Sequence, residues 1–367
     1  MKRALLLTVW MAMAVVALCT ACGEATPTPE TPALTPTLRE PFEQLTYTGP
    51  DGAIRLVDSN GANDHAILED PCDGFSSLWG EFSWTRDGER LAYRCGDHTL
   101  VVVEASGLEI ARADQVDTYE WSPDGRRLAL ERREGEWPEQ TFEVSILDVS
   151  NLAETVLAED ARLLEWVGGE HVMLQRDLEF NGFDFSSHAH LHDLTGASEP
   201  MPRFDNQRDF WVTPDGDKAI VLTEWDEESS GFRMAVYDFA TREEAEIEGS
   251  AIGYPSEHIP DALLALSPDV STIYWANPNA VEPVLWRAST AGGPAQRLSS
   301  IGSSFAVVSH GGRVAYWGPP PEPDAPERGQ DVLIVEDAIS GGRVEITRGG
   351  GELAWRTPGG VVGGEDP

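Results

Sequence analysis

The sequence has few basic residues and few cysteines, and beyond its first twenty residues it has no long apolar run. Lys and Arg number only 26 against 63 Asp and Glu, so the formal net charge is −37. Nucleic acids and anionic lipid headgroups bind proteins through basic surfaces, and the sequence therefore argues against both as partners. The acidity itself indicates a solvated, self-repelling surface, and we predict a monomer.

Signatures of common catalytic sites are also missing. The sequence has no Gly-x-Ser-x-Gly nucleophile elbow, no Gly-x-Gly-x-x-Gly phosphate loop and no His-Glu-x-x-His zinc motif. Its acidic segments, such as residues 226–228, lack the ligand spacing of a calcium loop. We therefore predict no catalytic residues and no cofactor.

The first 41 residues have the composition of an export leader followed by a tether. A basic start precedes an apolar run over residues 4–18, which is too short to span a bilayer comfortably. Residues 23–41 are rich in Pro and Thr, and such segments favour extended conformations without a core. We predict a signal peptide over 1–21, a tether over 22–41 and a folded domain over 42–367.

The junction between leader and tether resembles the lipobox of bacterial lipoproteins, in which a cysteine becomes the acylated N-terminus. The sequence there is Leu18-Cys19-Thr20-Ala21-Cys22. Leu18 lies one position earlier than in the family pattern. Cys22 is preferred over Cys19 because the two residues before it are small, as the peptidase requires. The resemblance implies lipidation of Cys22, and glycine as the next residue implies an outer-membrane location; an ordinary leader with incidental cysteines is the alternative.

One hairpin pattern recurs through the rest of the chain. Its clearest copy, residues 119–130, reads Tyr-Glu-Trp-Ser-Pro-Asp-Gly-Arg-Arg-Leu-Ala-Leu, a strand, a turn and a second strand. Equivalent residues stand at positions 84, 121, 166, 212, 266, 308 and 355. The mean spacing of about 45 residues is that of a four-stranded propeller blade. Continuous apolar runs at the third-strand positions are typical of sheets covered on both faces.

This repeat resembles that of TolB-like (WD40-like) β-propellers, over roughly residues 45–360. The resemblance implies an all-β fold with a single propeller. Residues 45–68 supply three strands with no first strand before them, whereas residues 352–356 supply a first strand alone. We predict that the two ends share one blade and close a ring of seven, with six blades as the alternative. The α/β domain of TolB has no counterpart here, so the resemblance does not imply a TolB-type role.

Three neighbouring repeats carry long loops between their second and third strands, at residues 133–140, 177–187 and 224–231. In a propeller such loops share one face with the connections between blades. Aromatic anchors in a polar surround are typical of protein or sugar recognition, although rings tucked into the blades are the alternative. The candidate partner-binding residues in these loops are Trp137, Phe180, Phe183, Phe185 and Trp225.

Two small residue sets are candidates for covalent or metal chemistry. Cys72 and Cys95 are the cysteines outside the leader, and their expected nearness in an exported protein predicts a disulfide. His188, His190 and His192 alternate along one strand, so two of their rings can share a zinc ion. No companion ligands are evident and third strands lie far from the central channel, so we favour packing or surface polarity for these histidines.

Together these patterns predict an exported, lipid-anchored protein of the bacterial envelope whose propeller binds a protein or glycan without catalysis. Two alternatives remain. One is a hydrolase or lyase with a site in the central channel, and the other is a lipoprotein that captures a solute or cation. The recognisable residues of the innermost strands do not form a matched ligand set, which argues against the enzyme; they are Ser83, Glu120, Glu165 and Trp211.

Overall fold

The protein, seen here in a computed structural model, is built almost entirely of β-strands. A single short 3-10 helix, Pro202–Phe204, accompanies them in the described part of the chain. No helix there is long and apolar enough to cross a membrane. The structure describes residues 43–69, 71–72, 82–96, 98–135, 140–180, 185–205, 210–213, 216–226, 231–248, 250, 264–267, 271–277, 284–300, 306–309, 312–318, 332–337, 340, 342–348 and 353–356.

The strands of these residues form seven four-stranded antiparallel sheets, each of which is one blade. In chain order the strands are β1 (Gln44–Thr48), β2 (Ile54–Asp58), β3 (His65–Leu68), β4 (Phe82–Trp84), β5 (Arg90–Arg94), β6 (Leu100–Glu104), β7 (Glu109–Ala113), β8 (Val116–Trp121), β9 (Arg127–Glu134), β10 (Thr141–Asp148), β11 (Ala153–Glu159), β12 (Arg162–Val167), β13 (His171–Phe180), β14 (Phe185–Asp193), β15 (Ser198–Pro200), β16 (Phe210–Val212), β17 (Lys218–Asp226), β18 (Gly231–Asp238), β19 (Glu244–Glu246), β20 (Leu264–Leu266), β21 (Thr272–Asn277), β22 (Val284–Ser289), β23 (Gln296–Ser300), β24 (Ala306–Val308), β25 (Arg313–Gly318), β26 (Val332–Asp337), β27 (Arg343–Arg348) and β28 (Leu353–Arg356).

The blades stand in a ring with their first strands innermost, which confirms the predicted seven-bladed propeller. Blades 1 to 6 each take four consecutive strands, from β4–β7 through β24–β27. Their first strands contact those of neighbouring blades, as β8 does with β12 and β24 with β28. The seven anchor positions found in the sequence all fall in first strands, because the turn that follows each strand is encoded locally. The six-bladed alternative is therefore wrong.

The seventh blade is assembled from both ends of the chain, as predicted. Its strand order is β28, β1, β2, β3, so the last described strand is the innermost one. Strands β28 and β1 pair antiparallel, with Trp355 opposite Leu45 and Leu353 opposite Tyr47. This pairing leaves no free inner edge on β1, and an exposed edge would be available to other chains.

The hydrophobic core lies between blades rather than at one centre. The described residues form seven apolar clusters, and each joins two adjacent blades. Between blades 7 and 1, for example, Ile54 packs with Leu91 and Val101, all with no exposed surface. This arrangement explains the continuous apolar runs of the third strands, since both faces of each sheet are covered.

A side-chain cap rigidifies the turn between first and second strands. The hydroxyl of Ser122 accepts a hydrogen bond from the backbone N of Arg127 at 3.0 Å and donates one to the Asp124 carboxylate at 2.6 Å. Thr85 and Thr213 accept the same backbone bond in blades 1 and 4. Glycine follows in the left-handed region, at φ 65° for Gly125, where a side chain would be strained. The recurring Ser/Thr-x-Asp-Gly sequence is thus a folding signal rather than a site.

Candidate functional site

The face opposite these capped turns carries three extended hairpins. In blades 2, 3 and 4 the second and third strands are 8 and 8, 10 and 9, and 9 and 8 residues long. The same strands of blade 1 have 5 residues, and those of blades 5 and 6 have 6. At about 3.3 Å per residue, the longer hairpins project roughly 10 Å further. We call these three hairpins the ridge.

The predicted aromatic residues map to the ends of this ridge as far as the structure describes them. Phe180 and Phe185 are paired opposite each other where β13 and β14 meet, and Trp225 is paired with Phe232 near the end of β17. Only the backbone is described at Phe180, Phe185 and Trp225. Trp137 and Phe183 lie outside the described residues. A role for the five rings in partner binding therefore stays a prediction.

Ion pairs brace the base of the blade 2 hairpin. Arg133 lies 3.3 Å from the Asp117 carboxylate, which also has the His98 ring 3.8 Å away. On the same strand, β9, Arg132 pairs with Glu154 of β11. These contacts tie strands β8 to β11 together, so that the hairpin rises from a stiff base.

A fully buried carboxylate lies beneath the ridge, between blades 2 and 3. Glu131 has no exposed surface; one carboxylate oxygen accepts from the backbone N of Leu163 at 2.6 Å, and the other faces the Arg162 Nε at 3.3 Å. The Arg162 guanidinium in turn lies 5.1 Å from the centre of the Phe142 ring. Burial raises the pKa of Glu131, and its two donors oppose that effect only in part.

Replacement of Glu131 by Gln is expected to change how stability depends on pH. A carboxyl group whose pKa is higher in the folded state stabilises the fold at low pH, and this contribution is lost as the pH rises through the folded pKa. Wild type should therefore lose stability relative to Glu131→Gln as the pH rises above the ordinary value of 4.5. Urea unfolding of both proteins at several pH values measures the difference. Parallel curves of unfolding free energy against pH would contradict the prediction.

Glu131→Ala should lower the free energy of unfolding by about 2 kcal/mol, because the backbone N–H of Leu163 loses its acceptor.

The structure joins Cys72 and Cys95 in a disulfide, with their Cα atoms 5.9 Å apart. Cys72 follows the last strand of blade 7, and Cys95 follows β5 of blade 1. The bridge thus links the split blade to its neighbour, on the face that carries the ridge. Near the bridge, the Tyr93 hydroxyl donates a hydrogen bond to the carbonyl oxygen of Pro71 at 3.2 Å. This bond holds the chain just before Cys72 against blade 1.

Loss of this bridge is expected to destabilise the ring measurably. The two cysteines are 23 residues apart, and a loop of that length predicts a loss of about 3 kcal/mol in Cys72→Ala/Cys95→Ala. Chemical denaturation of the variant beside wild type gives the value. As a control, reduction should lower the stability of wild type and leave that of the variant unchanged; equal stability of the two oxidised proteins would refute the prediction.

The three histidines of β14 do not form a common cluster. His188 is paired with Asp205, with 3.1 Å between its Nδ1 and the carboxylate, and its side chain is 64% exposed. The rings of His190 and His192 face the interior, with centroids 6.3 Å apart. Across the described residues, no group of three or more His, Cys, Asp or Glu side chains is placed to hold a metal ion.

Comparison with known proteins supports the propeller fold but assigns the chain to no family. No family model and no curated protein matches the sequence. Among solved structures, TolB from Acinetobacter baumannii is 16% identical with a TM-score of 0.44, and the match covers 68% of this chain. The chain spans 62% of the length of that TolB.

Two other solved propellers match over more of their length. Oligogalacturonate lyase from Vibrio parahaemolyticus is 12% identical with a TM-score of 0.51, and the match covers 84% of this chain and 85% of the lyase. A putative 6-phosphogluconolactonase from Bacteroides fragilis is 10% identical with a TM-score of 0.50, covering 87% of this chain and 99% of the other. Because a fold of this kind can carry several functions, function must be argued from this chain's own residues.

Proposed function

We propose that this protein is a lipoprotein of the bacterial cell envelope whose propeller serves as a non-catalytic binding scaffold. In this proposal Cys22 carries the lipid, the Pro/Thr-rich segment holds the propeller away from the membrane, and the outer membrane is the site of anchoring. The partner is an envelope protein or glycan that docks on the ridge. The proposal rests on the sequence of the leader and on one feature of the propeller.

That feature is the greater length of the second and third strands in three adjacent blades, compared with the described strands of blades 1, 5 and 6. A ring of equal blades needs no such extension to close, since blades 1, 5 and 6 close with strands of five or six residues. Extra strand length exposes backbone and side chains to solvent, and proteins place recognition surfaces on segments of this kind, held by a rigid scaffold. The ion pairs of Arg132 and Arg133 at the base support the same interpretation.

Site-directed photocrosslinking in intact cells tests the binding surface. A photoreactive residue at Glu134 or Thr141, both exposed on the blade 2 hairpin, should capture one reproducible partner. The matched controls are Glu104 and Ser150, exposed residues near the opposite face. Equal capture from both faces, or capture from neither, would contradict the proposal. Mass spectrometry of the adduct identifies the partner as protein or glycan.

The lipid anchor is tested separately by Cys22→Ser. The wild-type protein should carry the mass of an acylated N-terminus and partition with membranes, and the variant should lack both properties. Cys19→Ser serves as the control and should leave both unchanged. An unmodified wild-type protein would refute the anchor without affecting the binding surface.

A further inference from the structure

A cleft of about 860 Å³ runs between blades 2 and 3, apart from the central channel, along the flanks of the two ridge hairpins that these blades contribute. Blade 2 contributes residues of β10 and β11 to its walls, and blade 3 contributes residues of β13 and β14. Phe142, Val156 and Leu157 form an apolar wall on the blade 2 side. The volume is in the range of pockets that hold small organic molecules.

Four charged residues line the cleft without pairing. Glu159 and Asp160 come from blade 2, and Arg176 and Asp177 come from blade 3. Within the described part of the chain none of them makes an ion pair or a side-chain hydrogen bond. Both aspartates hold a left-handed backbone, at φ 51° for Asp160 and 53° for Asp177, a conformation uncommon outside glycine. The cleft therefore combines one available cation with three available carboxylates.

A buried histidine adds two unsatisfied polar atoms. His192 lines the cleft and is 2% exposed, and among the described residues neither its Nδ1 nor its Nε2 has a hydrogen-bond partner. It stands on the β14 face directed at blade 2, opposite Val172. Burial lowers the pKa of His192, and the charges of Arg176 and His190 lower it further. At neutral pH the ring is thus uncharged, with one donor and one acceptor to offer.

The surroundings favour an organic ligand over a metal ion at this ring. His190 contributes a second unpartnered nitrogen, but no third ligand accompanies the two histidines among the described residues. The positive charge of Arg176 near His192 opposes a bound cation. Arginine is instead suited to a carboxylate, which the donor nitrogen of His192 can also bind.

We propose that this cleft binds a small zwitterionic ligand of the amino-acid or short-peptide class. The ligand's carboxylate binds Arg176 and His192, its ammonium binds the carboxylates of Glu159, Asp160 and Asp177, and its apolar portion packs on the blade 2 wall. Buried polar atoms that gain partners on binding strengthen the complex, because leaving them unpaired is costly. This site goes beyond the proposed scaffold function, because ligand binding in the cleft requires neither the lipid anchor nor a partner docked on the ridge.

Nuclear magnetic resonance of the histidine rings tests the site directly. The probes are the common amino acids and their alanyl dipeptides, added at millimolar concentration to the full-length protein with 15N-labelled histidine. At least one probe should shift the ring nitrogens of His192 and leave those of His188, which is exposed and paired with Asp205, unchanged. No shift at His192 with any probe would overturn the proposal.

Analogues of the best probe then test each charged end on the wild-type protein. C-terminal amidation and N-terminal acetylation should each weaken binding by about tenfold or more, because each removes one charge-assisted contact. Equal binding of either analogue and the free probe would overturn the assignment. So would a shift caused by glucose or glucuronate in place of the amino-acid probes.

Two variants test whether Arg176 binds the carboxylate of the ligand. Arg176→Gln should weaken binding of the free probe by about tenfold and abolish its advantage over the amide, because the carboxylate partner is gone. Arg233→Gln removes an arginine from blade 4, outside the cleft, and should change neither value. Thermal unfolding of both variants checks that they fold. If Arg176→Gln still bound the free probe more tightly than its amide, the proposed orientation of the ligand would be overturned.

Discussion

A chain that ends at residue 349 is expected to fail to close the ring. It lacks β28, and the inner edge of β1 loses its antiparallel partner. Leu45 and Tyr47, which are 0% and 1% exposed in the closed ring, would face solvent. Lost burial and hydrogen bonds together amount to roughly 5 kcal/mol or more, which approaches the whole stability of many domains. Size-exclusion chromatography and thermal unfolding should show aggregation or a broad, early transition.

A synthetic peptide of residues 350–358 should restore the fold of this truncated chain when added in trans. Within the closed ring, the Arg356 guanidinium lies 4.9 Å from the Trp84 ring centre and donates to the Gly88 carbonyl oxygen at 2.7 Å. It also donates to the Gln44 side chain at 2.6 Å. A control peptide with Trp355→Ala and Arg356→Ala should not rescue. A truncated chain as stable as wild type would show that the ring does not depend on this strand.

Gly216→Ala is expected to cost roughly 4 kcal/mol, far more than a typical surface substitution. Gly216 lies in the turn between the first two strands of blade 4, at φ 76°. A Cβ atom there would overlap the backbone N and Cα of Gly168 in blade 3, so two blades would have to separate. The left-handed conformation contributes about 1 kcal/mol of this cost, and the overlap contributes the rest. Chemical denaturation measures the loss.

Gly196→Ala is the matched control for that variant. Gly196 is also left-handed, at φ 92°, but a Cβ atom at this position would have no neighbour within 4 Å among the residues that the structure describes. Gly196→Ala should therefore lose only about 1 kcal/mol of stability, which is the cost of the left-handed backbone. The difference between the two variants reports the contact between blades 3 and 4. Similar losses in both would mean that the turn of blade 4 does not press on blade 3.

The fold was predictable because its strongest signals are local. The Ser-Pro-Asp-Gly turn after Trp121 is specified by a hydroxyl cap and a glycine, each within six residues, so the sequence shows it directly. Degenerate copies such as that at Trp166 keep only the tryptophan and a following glycine pair of this pattern. The split blade followed from counting strands at the two ends. Strand lengths were harder to predict, because polar residues continue β13 and β14 beyond the apolar part.

The binding cleft was not predictable from the sequence. Glu159 and Arg176 come from different blades, and only the packing of those blades brings them to one cavity. The alternation of His188, His190 and His192 did indicate a shared face, but not that His188 would pair with Asp205 while His192 became buried. An alternating pattern specifies which way side chains point and leaves open what they meet.

The placement of the seven apolar clusters predicts how the folded ring responds to a single cut in its chain. Each blade lends one face to each of two clusters, so no blade can bury its apolar surface alone. A peptide bond cut by a protease in a connection between blades would leave two partial rings that still share two interfaces. Such a nicked molecule should therefore stay assembled as one ring made of two fragments.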